Sequence, residues 1–187
     1  KKTQKNRNAV ILVVILLIIT TIPQLILGLI FSSQSITRDN INAENLAKFI
    51  STDRFILALL YSTIFVSFCI YLLAKYYLKR NNASLGLNGP NKLKNYLKGT
   101  LLGLLAMTVV FFLLQIFDQI DVSSNYKNIS PLIFLSFIVG WILQGFEEEL
   151  LCRSVLMNYF AADNGVESAI IANSLIFSIM HISNCLL

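Results

Sequence analysis

Pro131-Leu-Ile-Phe-Leu-Ser-Phe-Ile-Val-Gly-Trp-Ile-Leu-Gln-Gly-Phe-Glu-Glu-Glu-Leu-Leu-Cys-Arg153 decides the fold. Thirteen residues of almost unbroken apolar sequence run into three carboxylates and a guanidinium, and Ser154-Val-Leu-Met157 returns to apolar sequence. A charge in a membrane helix costs about 2.5 to 3.5 kcal/mol on insertion scales, so such residues face a polar interior and mark function. The competing reading is that the helix leaves the bilayer here and the acids are wetted by water.

Composition places the whole chain in the same class. Of 187 residues, 56% are hydrophobic and 13% charged, against about 25% charged in an average soluble domain. A β-barrel would show short alternating segments, so we expect an all-α, polytopic transmembrane helical bundle. Five spans are expected, at about 9–31, 55–78, 99–117, 131–160 and 166–187, in one membrane domain. The apolar run Ala9–Phe31 is too long for a signal peptide, whose apolar region is about 7–15 residues, and Pro23 is expected to kink it. Segment 43–50 suits a short interfacial helix. Leu93, Tyr96 and Leu97, opposite Lys92, Lys94 and Lys98, suggest a surface helix before the third span or, equally, a solvated loop.

The net charge of +5 implies no nucleic acid, because the basic residues cluster at span ends. Ten Lys and Arg fall in the N-terminal tail and second connector, against four in the first and third connectors. The N-terminus is therefore expected in the cytoplasm. Cys69, Cys152 and Cys185 lie far apart in apolar runs and suit buried thiols. The chain starts at Lys1 and stops at Leu187 inside an apolar run, which leads us to expect a fragment, cut at least at its C-terminal end.

Asp163-Asn164-Gly165 is a turn signal. The midpoint of Glu148 and His181 falls between Asn164 and Gly165, so an antiparallel hairpin sets the sole histidine level with Glu148. Glu149 and Arg153, at i and i+4 with the acid first, form the favoured helix ion pair. That leaves Glu148 as the reactive carboxylate. Gln144, Glu148 and Cys152 follow at i+4 steps on one face, while Glu147 is expected to point elsewhere, to a hydrated rim. Asn173, Phe177, His181 and Asn184 form a polar-aromatic stripe on the next helix.

Glu148-Glu149-x-x-x-Arg153 followed by Phe177-x-x-x-His181 resembles the first two signatures of the CPBP (CAAX protease and bacteriocin-processing, or Abi) intramembrane protease family. Continuation through Asn184 and the Ser84-Leu-Gly-Leu87 connector are also similar. The resemblance implies peptide-bond hydrolysis without a metal. Glu148 would be the general base and His181 the residue holding water or polarising substrate, with Glu149 the third catalytic residue and Arg153, Phe177, Asn184 and Gln144 in support. The family's third motif, His-x-x-x-Asn, assigned to the oxyanion, is absent, and we expect it beyond Leu187 and the 187 residues alone to be inactive.

No cofactor is expected, and zinc is a minor alternative. The expected partners are the bilayer and a peptide or protein substrate entering from the membrane or cytoplasmic side. The Lys-, Asn- and Ile-rich composition suggests a bacterial cytoplasmic membrane, with bacteriocin processing or self-immunity as the role. A non-enzymatic immunity or scaffold protein that keeps the fold stays open. Substrate and oligomeric state are not legible.

Overall fold

A computed structural model describes residues 2–35, 52–120 and 130–181. The expected interfacial helix at 43–50, and the positions of Asn184 and Cys185, lie outside these residues. Among the described residues the fold is all-helical. Four helices are long and apolar enough to cross a membrane, Asn8–Ile30, Asp53–Tyr77, Lys92–Ile116 and Pro131–Ala162, and Val166–Met180 is a shorter apolar helix. The chain is an integral membrane protein by this pattern.

Helix α1 (Lys2–Ser35) runs through Pro23 without a break in helical assignment. Helix α2 (Asp53–Leu72) continues as a π-helical turn, Leu73–Tyr77. There Lys75 donates to the Tyr71 hydroxyl at 3.3 Å and lies over the Tyr71 and Tyr76 rings. Helix α3 (Lys92–Ile116) absorbs the segment expected to be a separate surface helix or loop. The third span therefore starts at Lys92 rather than 99, because the break falls at Asn91, in the left-handed region. No residue of α3 is buried.

Helix α4 (Pro131–Glu149) starts with Pro at its first position, where the missing N–H costs nothing. It packs against α2, which also packs against α1. α2 and α4 approach closely at Gly140, where a methyl group would meet Leu60 at 2.9 Å. We expect Gly140→Val to force the two helices apart and cost about 1–3 kcal/mol, the usual range for overpacking. Thermal unfolding in detergent is the check, with Gly103→Val, where nothing lies within 4 Å, as the silent control.

The fourth span does not stay α-helical as its sequence suggests. From Leu150 to Met157 it is π-helical, and it resumes as α5 (Asn158–Asn164). In a π-helix the hydrogen bonds run five residues, so residues five apart line up. Leu150 and Val155, and Leu151 and Leu156, have this spacing, and all four are at most 2% exposed. The wide turn thus puts two i,i+5 apolar pairs on the buried side. Asn158 Nδ2 donates to the carbonyls of Arg153 and Ser154 at the end of the segment (3.2 and 3.1 Å), covering acceptors that the change of helix type leaves spare.

This π-segment is the hub of the core. Around it gather Leu12 and Leu16 of α1, Val66 and Ile70 of α2, Ala74, and Leu85 from the connector. Ser154 Oγ donates to the Leu85 carbonyl at 2.8 Å, tying the Ser84–Leu87 connector to the fourth span. Gly86, at φ +74°, supplies the left-handed residue that this turn requires. Gly165, at φ +81°, breaks α5 and begins α6 (Val166–Met180), so the expected hairpin forms about that one glycine. α6 then packs on α5 and on the π-segment.

Candidate active site

The hairpin brings Glu148 and His181 together. His181 Nε2 lies 3.5 Å from Glu148 Oε1, with both side chains about two-thirds or more buried. Gln144, one turn earlier on α4, donates from Nε2 to the same Oε1 at 2.9 Å. Glu149 pairs with Arg153 at 2.8 Å, in the i,i+4 order expected. The fold thus brings Gln144, Glu148, Phe177 and His181 together and pairs Glu149 with Arg153 beside them, while Asn184 lies outside the described residues.

Two features orient the imidazole. His181 Nδ1 is 3.0 Å from the Phe177 carbonyl, and the Phe177 ring lies against it, centroids 4.3 Å apart and tilted by 31°. A carbonyl oxygen only accepts, so Nδ1 carries the proton in this contact. In neutral imidazole Nε2 is then a lone-pair acceptor turned toward Glu148. Two acceptors 3.5 Å apart are poised for a molecule that donates twice, and water does.

Glu148 borders two cavities. One, of about 340 Å³, is lined by α1, α2 and α4, including Thr20, Gln24, Thr63, Trp141, Gln144 and Glu147, and closes on Met180 and His181. The other, of about 290 Å³, lies between Glu148, Glu149, Cys152 and Arg153 on one wall and Asn173, Ser174, Phe177 and Ser178 on the other. Asn173 Oδ1 is buried there without a partner among the described residues.

The expectation for Glu147 is overturned. It is not on a hydrated rim: it is 7% exposed and lines the 340 Å³ cavity, and its Oε1 has no hydrogen-bond partner among the described residues. The physical reason lies in the helical angle. Glu147 is i+3 from Gln144 and one residue from Glu148, which places it on the inner side of α4, toward α1 and α2. Thr20 and Gln24, i and i+4 in a run whose one other hydroxyl residue is Thr21, carried the same signal in α1.

No group of three or more His, Cys, Asp or Glu side chains that could hold a metal ion occurs among the described residues. Glu148 and His181 offer two donors, where catalytic zinc takes about three from protein.

The comparisons bear on this part of the chain. Residues 129–187 match the family model described as type II CAAX prenyl endopeptidase Rce1-like. That stretch holds both halves of the hairpin, so the resemblance read from the two motifs stands. No curated protein and no solved structure matches the chain.

Proposed function

We propose that the protein is an intramembrane endopeptidase that uses water activated by Glu148, without a metal. The observation that carries this reading is the Glu148–His181 juxtaposition at the end of a cavity inside the bundle. Water in that gap donates one hydrogen to the Glu148 carboxylate and the other to His181 Nε2. Its oxygen lone pair is left to attack the peptide carbonyl. Glu148 takes the proton as the C–O bond forms. The proton then passes to the amide nitrogen as the C–N bond breaks, giving a new carboxylic acid and a new amine, between which the remaining proton is exchanged as the carboxylate and ammonium form. Gln144 fixes the Glu148 rotamer, and Phe177 fixes the imidazole plane. The Glu149–Arg153 pair, more than half exposed at the wall of the second cavity, neutralises itself.

Glu148 lies near the middle of the Pro131–Ala162 helix, so the scissile bond must enter the bilayer's depth. The substrate is a peptide or protein coming from the membrane or from the side of the N-terminus. The excess of Lys and Arg makes that side the cytoplasm, and composition suggests a bacterial membrane and a bacteriocin-related substrate.

The test is cleavage by the full-length gene product in proteoliposomes. It uses prenylated and unprenylated Cys-aliphatic-aliphatic-X peptides and a bacteriocin precursor, in ¹⁸O water. One ¹⁸O in the new carboxylate is expected, with activity within about twofold in 1,10-phenanthroline, since no metal ligand set is needed. Loss with the chelator and recovery with zinc would overturn the metal-free mechanism.

A further inference from the structure

Glu147 has no part in the mechanism above, yet it is the only buried charged side chain among the described residues. A buried carboxylate without a partner is costly and calls for neutralisation. The cavity wall around it shows by what. The Thr20 hydroxyl donates to its own helix, to the carbonyls of Leu16 and Leu17 at 3.1 and 3.0 Å. Thr63 does the same toward the Leu60 carbonyl. Gln144 spends an amide hydrogen on Glu148. Each of these groups is left with acceptor oxygen, and Glu147 Oε1 is an acceptor too. Gln24 adds one amide, with both donors and an acceptor. Among the described residues no Lys or Arg lines this cavity. A wall of acceptors with a carboxylate suits a compact cation carrying several N–H donors.

Resting on the protease reading, we propose that this cavity is a substrate subsite for a positively charged side chain, an ammonium or guanidinium, held by Glu147 beside the scissile peptide bond. The substrates are then peptides with a basic residue near the bond cut by Glu148. The cavity's apolar wall, Ile56, Leu59 and Trp141, takes the methylene stem while the head reaches Glu147.

The test does not depend on cleavage. The chain is placed in nanodiscs and titrated with n-hexylammonium chloride, and separately with n-hexanol as its uncharged counterpart. Trp141 is the sole tryptophan and lines the cavity, so its emission reports occupancy. We expect a saturable change with hexylammonium that hexanol does not give, and a midpoint at least about tenfold higher in Glu147→Gln, as for removal of one partner of a buried charged pair. On the unmodified chain, dicyclohexylcarbodiimide labelling of Glu147, read by mass spectrometry, should fall as hexylammonium is added. Equal responses to the amine and the alcohol would overturn the proposal. So would an unchanged midpoint in Glu147→Gln. Labelling indifferent to the amine would mark Glu147 as holding a proton only, which also overturns it. Binding of hexylammonium together with no cleavage by the full-length gene product would instead fault the protease reading.

Discussion

Glu148→Gln is expected to lower kcat by about 10²–10⁴-fold, the range that a positioned general base contributes, while the protein inserts and folds as before. The substitution is nearly isosteric. With its amide oxygen in the place of Oε1, the new side chain can still accept from Gln144, now 2.9 Å from Glu148, so the helix-borne contact is kept and the base is lost. Glu149→Gln is expected to do much less. Its partner Arg153 is 72% exposed and Glu149 itself 55%, and an exposed ion pair contributes about 0–1 kcal/mol, less than tenfold in any equilibrium. The ordering separates the two acids that the sequence places side by side. Circular dichroism and membrane fractionation establish folding, and initial rates in proteoliposomes give kcat. If Glu148→Gln cleaves like the parent, Glu148 is not the base. If no cleavage occurs in either and a bacteriocin-immunity phenotype survives the substitution, the non-enzymatic reading takes its place.

The hairpin was legible because its information is local and periodic. A glycine that can adopt φ +81°, two apolar helices and a fixed distance to the turn suffice to set His181 against Glu148. The Glu149–Arg153 pair was legible for the same reason, since i,i+4 contacts depend on one helix alone. Glu147 was misplaced because its burial is set by α1 and α2, whose faces a single-helix argument does not see. In a chain so apolar, the usual contrast between inner and outer faces is weak, and only scattered polar residues such as Thr20 and Gln24 betray the inside. The π-segment went unread as well, because the sequence offers its i,i+5 pairs, Leu150/Val155 and Leu151/Leu156, alongside i,i+4 pairs such as Leu151/Val155 that suit an α-helix equally.

That segment carries the second large effect. Leu151→Ala is expected to cost about 2–3 kcal/mol of stability and to lower activity with it. Leu151 is 1% exposed and sits at the centre of the cluster formed with Leu12, Leu16, Ile70, Ala74 and Leu85. In a soluble protein the loss for Leu→Ala is about 2–5 kcal/mol, part transfer from water and part cavity. Lipid tails are as apolar as leucine, so the transfer part largely vanishes in a bilayer and packing remains, which places the cost in the lower part of that range. Activity falls because Leu151 is three residues from Glu148, where α4 passes into the π-helical turn. With Leu156 no longer stacked on a leucine, the i,i+5 register loses one of its two apolar pairs, and an α-helical register rotates Glu148 relative to His181. Hydrogen exchange should rise across Leu150–Met157 before the rest of the fourth span opens. Leu113→Ala, on the face of α3 where nothing is buried, is expected to change stability by no more than about 0.5 kcal/mol. Equal costs at the two positions would mean that the core centres elsewhere than on the π-segment.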